Sequence, residues 1–260
     1  MLLYRGTQRP EISGVRKGLS YTPSLAAAII WSSVPPDVWS RREAVFLPTS
    51  TVHRARLKRS AKVLSLAEDN YVSFDHVLAI LGYGERDGID HAEALKILQY
   101  MHNRITGRAR GGEFLYRVVD EDGEELNERD LPFSLSNPMT LIGEFKDEFG
   151  GDDSIAARLR ADTFIFADAP ATQRAALKLG YDALHYRDLF AGAESVSEKL
   201  LGIRADDLEG VETDYDLQGE DVYVHETYRP LKAGAIEVVD SVLTKDLLRQ
   251  VDLAELSRSK

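Results

Sequence analysis

The chain has 260 residues, carries a formal net charge of −11 and contains no cysteine. The length is sufficient for one large domain or two small ones with a sizeable core. The absence of cysteine excludes disulfides, zinc–thiolate sites and thiol nucleophiles, and the negative charge argues against binding nucleic acid over a large surface. The first residues lack the basic region and cleavage site of a secretory signal, and no apolar run approaches the roughly 18 residues of a membrane span. We therefore expect action in the cytoplasm, or delivery into the cytoplasm of a host.

Apolar, β-branched and turn residues predict strands and helices in no simple alternation. The predicted strands are 2–5, 44–47, 62–66, 114–119, 163–166, 183–186, 221–225 and 235–239. The predicted helices are 23–32, 74–82, 90–105, 139–149, 153–160, 171–179 and 243–257. Asp90 is the expected cap of the helix 90–105. This mixture indicates the α/β fold class, of the mixed α+β kind.

The start of the chain contains the pattern most informative about function. A short apolar run leads into Arg5-Gly6-Thr7, and a second run ends in Ser20-Tyr21-Thr22 before an alanine-rich helix with Pro23 in its first turn. An arginine beside a glycine can hold a phosphate by two charge-assisted hydrogen bonds while the backbone approaches closely. Hydroxyl groups at the end of the next strand can orient a sugar or a carboxylate. Together these residues predict a nucleotide pocket, unless Ser20 and Thr22 only cap the helix.

Charge is unevenly distributed along the chain. Basic residues dominate positions 41–62, namely Arg41, Arg42, Arg54, Arg56, Lys58, Arg59 and Lys62. Acidic residues dominate positions 206–226, namely Asp206, Asp207, Glu209, Glu212, Asp214, Asp216, Glu220, Asp221 and Glu226. The basic stretch is suited to a phosphate backbone or an anionic partner. The alternative is a solvated face beside the apolar run 44–47.

Two later stretches add to the pattern. The predicted helix 171–179 stops at Gly180, and the chain then enters an apolar strand through Tyr181-Asp182. Further along, Gln218 precedes Glu220 by two residues at the entry of another strand. Residues two apart in a strand face the same side, so both side chains are expected to reach one ligand. The six histidines show no metal-ligand spacing, and we expect no metal.

In this order the motifs resemble the ADP-ribosyltransferase fold. They are Tyr4-Arg5-Gly6-Thr7, Ser20-Tyr21-Thr22, Gly180-Tyr181-Asp182-Ala183-Leu184 and Gln218-Gly219-Glu220. The arginine and serine resemble the Arg-Ser-Glu class of mono-ADP-ribosyltransferases, of the toxin or phage type. The resemblance implies a split β-sandwich with a NAD cleft, built as a single domain over 1–260. Its core would span about 1–66 and 160–240, with a helical insertion at about 67–150 and a C-terminal helix at about 243–257.

The resemblance also implies a reaction. ADP-ribose would pass from NAD, used as a substrate, to a macromolecular acceptor through an oxocarbenium-like transition state. The catalytic residues would be Glu220, Arg5 and Ser20, with Asp221 and Glu226 as alternative carboxylates. The NAD-binding residues would be Arg5, Gly6, Thr7, Ser20, Tyr21 and Thr22. Gln218 would bind the acceptor, and Tyr4 or Tyr21 would offer a ring on which nicotinamide stacks.

The acceptor is expected to be a protein. Nucleic acid is the alternative, and it would bind through Arg54, Arg56, Lys58, Arg59 and Lys62. This stretch has no aromatic residue between Phe46 and Tyr71 on which bases could stack. Three other functions remain open at this point: a NAD glycohydrolase, an inactive relative that binds a nucleotide or a partner, and a structural or interaction protein whose basic stretch binds nucleic acid.

Overall fold

The computed structural model describes residues 1–8, 19–33, 44–67, 70–108, 116–118, 159–189, 193–215, 221–251 and 256–257. These residues form a mixture of helices and sheets, which confirms the predicted coarse α/β class. The chain divides into two compact units, Met1–Leu64 with Asp182–Lys260, and Ser65–Tyr181. Within the described ranges, no helix combines the length and apolar character that crossing a membrane requires.

The described elements are numbered in chain order. The strands are β1 Leu2–Thr7, β2 Thr51–Leu57, β3 Val63–Ser65, β4 Tyr71–Ser73, β5 Tyr116–Val118, β6 Leu159–Asp162, β7 Ala183–Leu189, β8 Val211–Tyr215, β9 Asp221–Pro230 and β10 Ile236–Leu243. The helices are α1 Leu25–Trp31, α2 Phe74–Ile80, α3 His91–Arg108, α4 Thr163–Asp168, α5 Pro170–Lys178, α6 Ala193–Leu201 and α7 Thr244–Leu247. Short 3₁₀ helices cover Ala205–Asp207 and Ala233–Ala235.

Two sheets build the first unit. One has the strand order β1-β2-β10 and is antiparallel throughout, and the other has the order β3-β7-β9-β8. Residues Tyr21 and Thr22 join the two sheets. Thr22 exchanges backbone hydrogen bonds of 2.7 and 2.8 Å with Tyr4 of β1, and Tyr21 exchanges bonds of 2.8 and 2.6 Å with Tyr228 of β9. This short segment therefore lies between β1 and β9 as a two-residue strand.

Helix α1 packs into the core of the first unit through almost every side chain. Residues Ala26 to Ile30 are all buried, in a cluster with Val52 of β2 and Val211 of β8. The helix begins at Leu25, because Ser24 is its N-cap and accepts a 3.0 Å hydrogen bond from the Ala27 amide. The sequence analysis started this helix two residues earlier, at Pro23.

The second unit contains the sheet β4-β6-β5 and helices α2 to α5. The predicted cap of the long helix is confirmed: Asp90 Oδ1 accepts from the Glu93 amide at 2.8 Å, and Glu93 Oε2 accepts from the Asp90 amide at 3.3 Å. This reciprocal pair is a capping box. The Phe74 and Phe166 rings stack at 6.0 Å in the core of the unit. The unit runs to Tyr181 and so includes α5, which the sequence analysis assigned to the core of the resembled fold.

The predicted helix stop at Gly180 is confirmed. Helix α5 ends at Lys178, and Gly180 has a φ of +88°, in the left-handed region that favours glycine. The Gly180 amide bonds to the Leu177 carbonyl at 3.1 Å, and the Tyr181 amide bonds to the Ala176 carbonyl at 3.0 Å. These two bonds form a Schellman motif, which satisfies carbonyls at the end of the helix.

Several element predictions are wrong. Residues 163–166 were predicted as a strand but form α4, because a short buried apolar run does not distinguish strand from helix. Residues 159–160, the described end of the predicted helix 153–160, lie in β6. Of the helix predicted over 243–257, only Thr244–Leu247 is α-helical among the described residues. The predicted helix 139–149 lies outside the described residues.

The strand predicted at 44–47 is not found there, and the strand in this part of the chain is β2, Thr51–Leu57. Leu47 and Ser50 form a turn, with a 3.0 Å backbone bond and a 2.9 Å bond from the Leu47 amide to Ser50 Oγ. The strand β2 follows this turn. The sequence analysis read β2 only as part of the basic stretch, because its strand character comes from pairing with β1 and β10 on both edges.

Candidate functional site

A cavity of about 280 Å³ lies in the first unit, between β1, the Tyr21–Thr22 segment, α1, β7 and β9. Its described lining residues are Tyr4, Arg5, Gly6, Ser20, Tyr21, Thr22, Ala28, Trp31, Asp188, His225 and Thr227. Cavities of roughly 300–1,000 Å³ are usual for small-molecule sites. The volume is therefore suited to one nucleoside-sized part of a ligand.

Gly6 brings the first wall of the cavity close to α1. A Cβ atom at this position would lie 1.9 Å from the Ala28 carbonyl oxygen and 2.5 Å from the Ser32 amide nitrogen. Both atoms belong to helix backbone, so neither can turn aside as a side chain would. The sequence analysis explained this glycine by close approach of the backbone to a phosphate; the structure shows a close approach to the last turn of α1.

The pairing of β7 with β9 builds the opposite wall. Asp188 pairs with His225, and Tyr186 pairs with Thr227. Side chains alternate between the two faces of a strand, so these four positions share one face. Asp188, His225 and Thr227 line the cavity, and Asp188 is the one acidic side chain among its described lining residues.

Trp31 and His225 form a fixed pair inside the cavity. The Trp31 Nε1–H donates to His225 Nε2 at 3.1 Å, and the two rings meet edge to face with centroids 6.4 Å apart. His225 Nδ1 donates to the Glu226 carbonyl at 3.0 Å, so the proton of the neutral ring is on Nδ1. Burial lowers the pKa of His225 to about 4, which keeps it uncharged at neutral pH. Trp31 is 43% exposed although it lines the cavity.

Arg5 and Ser20, which the sequence analysis put in one pocket, are in contact. Arg5 Nη1 donates to the Ser20 carbonyl at 3.1 Å. The Ser20 hydroxyl lies 2.8 Å from the Tyr186 hydroxyl and accepts from Arg229 Nη2 at 3.2 Å. The Arg229 guanidinium also lies over the Tyr186 ring, 5.3 Å from its centroid. Ser20 does not cap α1, and Thr22 accepts a 3.1 Å bond from the Ser24 amide instead.

Most of the predicted NAD-binding residues line the cavity, namely Arg5, Gly6, Ser20, Tyr21 and Thr22. Thr7 is not among the lining residues, and its hydroxyl lies 3.3 Å from His53 Nε2. Gln218 and Glu220 lie outside the described residues. Of the alternative carboxylates, Asp221 is the first residue of β9.

Glu226, the other alternative carboxylate, does not line the cavity. It pairs with Arg187 across the sheet and lies next to His225, so alternation places it on the other face of β9. There its Oε2 lies 3.6 Å from His185 Nε2. Burial lowers the pKa of His185 more strongly than the Glu226 carboxylate raises it. His185 is therefore uncharged near pH 7, and its contact with Glu226 is not a strong ion pair.

The described residues of the basic stretch differ in exposure: Arg54 is held in an ion pair, and the others are exposed. Arg54 on β2 makes two bonds of 2.6 Å to the Asp240 carboxylate, which raise the pKa of Arg54. Arg56 is exposed opposite Glu237 of β10. Lys58, Arg59 and Lys62 are exposed in the turn between β2 and β3. Arg41 and Arg42 lie outside the described residues.

The sequence analysis missed five of the described lining residues, among them Trp31, Asp188 and His225. Trp31 was passed over as the end of an alanine-rich helix, although an exposed tryptophan on such a helix is a recognition signal. His225 was considered as one of six histidines without metal-ligand spacing. Asp188 has no local motif around it, and only the pairing of β7 with β9 brings it to the cavity.

The described residues contain no group of three or more histidine, aspartate or glutamate side chains that is suited to a metal ion. The cavity instead contains one arginine, one aspartate, hydroxyl groups and aromatic rings. This chemistry is suited to an organic ligand with a charged and a planar part. Comparisons with protein-family models, curated proteins and solved structures found no match to this chain.

Proposed function

We propose that the protein is a mono-ADP-ribosyltransferase with an ADP-ribosyltransferase-like fold, and that NAD binds in the cavity of the first unit. The observation that carries this proposal is the order of strands around the cavity. The arginine strand β1, the Ser20-Tyr21-Thr22 segment and β9, which Glu220 precedes in the sequence, lie side by side through the Tyr4–Thr22 and Tyr21–Tyr228 bridges. The resemblance needs these three parts at one site.

The chemistry of the cavity supports the same proposal. Arg5 supplies a guanidinium for the pyrophosphate, and its contact with Ser20 holds it at the cavity wall. Tyr4 and Trp31 supply aromatic surface for the nicotinamide ring, whereas Tyr21 lines the cavity from the core. Backbone groups of Gly6, which lines the cavity, are proposed to bond the nicotinamide amide. A NAD molecule would thus place its anionic part near Arg5 and its planar cationic ring among the aromatic side chains.

Cleavage of the nicotinamide bond generates positive charge on the ribose, which a carboxylate stabilises. We retain Glu220 as the proposed carboxylate that accepts a hydrogen bond from the ribose, and Gln218 as the group that bonds the incoming acceptor. Ser20 is proposed to act through its contacts with Arg5 and Arg229.

The experiment uses NAD labelled in its ADP-ribose part, incubated with the protein and a cell lysate. We expect release of nicotinamide together with label that resists nuclease and is lost on protease digestion. Glu220→Gln should lower transfer about a hundredfold or more while NAD still binds, because the lost charge acts mainly in the transition state. If Glu220→Gln remains fully active and Asp221→Asn is inactive, the first residue of β9 is the carboxylate.

Arg5→Ala tests the other end of the ligand. Its NAD affinity should fall about tenfold or more, since a charge-assisted bond to phosphate contributes roughly 1.5–3 kcal/mol. Arg249→Ala is the matched control, because the Arg249 side chain is 77% exposed and forms an ion pair with Asp246, three residues before it, at 3.4 Å. Release of free ADP-ribose without labelled macromolecules would identify a NAD glycohydrolase. Absence of any nicotinamide release would contradict the enzyme proposal.

For the acceptor we propose a protein in a cytoplasm, the cell's own or a host's. The exposed Arg56, Lys58, Arg59 and Lys62 are its proposed docking surface. Arg54 contributes less to this surface, because Asp240 already neutralises it through two hydrogen bonds.

A further inference from the structure

The two walls of the cavity carry opposite charges. Arg5 lies on β1, and Asp188 lies on β7 opposite His225 of β9. They are the charged side chains among the described lining residues, since burial keeps His225 neutral. A cavity with one cation and one anion favours a ligand that carries both charges, with the positive part near the aspartate.

The position of Asp188 follows from strand pairing and not from a flexible loop. It is half-buried in the ladder of β7 and β9, beside Tyr186, which is fully buried and bonded to Ser20. Its neighbour Arg187 faces the other way and makes a 2.8 Å ion pair with Glu212. The carboxylate therefore belongs to a strand that is paired with β9, which holds its backbone in place as an electrostatic group in a site requires.

Asp221, the first residue of β9, lies farther along the strand. Asp221 is four residues from His225, which corresponds to about 14 Å in an extended strand. Asp188 lies directly opposite His225. A carboxylate is thus present in the cavity at the level of Trp31 and His225, and the sequence analysis did not name it.

We propose that Asp188 is a catalytic residue whose carboxylate faces the positively charged nicotinamide riboside part of NAD. This inference rests on the proposed function for its chemical step. In that step the bond between ribose C1′ and the nicotinamide nitrogen breaks, and both bonding electrons leave with nicotinamide, which becomes neutral. A lone pair of the acceptor forms the new bond to C1′, and the proton of the acceptor is released to solvent. Asp188 stabilises the charge on the ribose between these two events.

The test compares the wild-type protein with Asp188→Asn, which keeps the size of the side chain and removes its charge. Nicotinamide release gives kcat and KM, and calorimetry gives the affinities for oxidised NAD and for NADH. We expect kcat to fall about a hundredfold in the variant, as for other electrostatic groups of active sites. We also expect the wild type to bind oxidised NAD about tenfold more tightly than NADH, because only the oxidised ring is cationic, and the variant to bind both alike.

Asp206→Asn is the matched control, because this aspartate is partly exposed on a 3₁₀ helix and pairs with Arg204 at 2.6 Å. It should keep the wild-type kcat and the wild-type preference. An Asp188→Asn variant that keeps the wild-type kcat and the wild-type preference for oxidised NAD would overturn the proposal. If the wild type releases no nicotinamide yet prefers oxidised NAD through Asp188, the transferase proposal fails and the placement of Asp188 stands. If neither nucleotide binds, both proposals fail.

Discussion

At the scale of single residues, we expect Trp31 to provide the ring on which a planar ligand stacks in the cavity. Tyr21 is 3% exposed and belongs to the core, whereas Trp31 is 43% exposed, so its ring offers more surface to a ligand. We predict that Trp31→Ala weakens NAD binding about tenfold, because a ring stack contributes roughly 0.5–1.5 kcal/mol beyond the area that it buries. Trp31→Phe should lose less affinity than Trp31→Ala, because it keeps an aromatic ring. It does not keep the hydrogen bond to His225. Calorimetric titration measures both, and equal affinities for wild type and Trp31→Ala would contradict a stacking role.

His225 makes stability depend on pH. Its folded-state pKa of about 4 lies below the ordinary histidine value of 6.5, so the unfolded chain takes up the proton first as the pH falls. Stability is therefore full above about pH 6.5 and decreases as the pH falls toward 4. The contribution lost between pH 7 and pH 5 is about 2 kcal/mol.

Urea unfolding at pH 7 and pH 5 measures this loss. His225→Gln should show a pH-dependent decrease in unfolding free energy that is about 2 kcal/mol smaller than that of the wild type. The same decrease in both proteins would exclude His225 as the source. The lowered pKa of His185 acts in the same direction, so a smaller residual slope is expected in the variant.

At the scale of elements, the contact of β1 with α1 depends on Gly6. A methyl group there would overlap the Ala28 carbonyl oxygen at 1.9 Å, so Gly6→Ala must push the helix away from the strand. We predict a loss of about 3 kcal/mol in unfolding free energy together with weaker NAD binding. Gly234→Ala is the matched control, because nothing lies within 4 Å of its added atom and it should be neutral or slightly stabilising. Equal stabilities of the two variants in urea would contradict the close approach.

At the scale of the whole molecule, the basic residues at the end of β2 and in the turn after it are proposed to bind the acceptor and to take no part in NAD chemistry. Arg56, Lys58 and Arg59 are exposed. Arg56 is three residues along β2, or about 10 Å, from His53, the residue that pairs with Arg5 of the cavity. We predict that reversing these three charges to glutamate lowers transfer to the acceptor and leaves nicotinamide release unchanged. Reversal of the exposed Lys199, Lys245 and Arg249 gives the same net charge and is the control. Equal loss of both activities in the first variant would mean that the turn serves NAD or the fold.

Some elements were predictable because their signals are local. The glycine that ends α5 and the capping box at Asp90 depend on a few neighbouring residues, and both predictions are confirmed. The strand β2 was not predictable in the same way, because Arg54 is stabilised in it by Asp240, a residue remote in sequence. The run 163–166 was equally ambiguous, since its burial and not its periodicity decided for a helix.

The sequence by itself determined the coarse fold class and the composition of one cavity wall, where Arg5, Gly6 and the Ser20-Tyr21-Thr22 segment occur close together in the chain. Only the tertiary structure decided that Trp31, Asp188 and His225 complete the site. Their convergence depends on the antiparallel pairing of β7 with β9 and on the two backbone bridges of Tyr21 and Thr22. Such pairings join residues remote in the chain through hydrogen bonds of the backbone, which every residue type except proline can both donate and accept, and therefore leave no local pattern in the sequence.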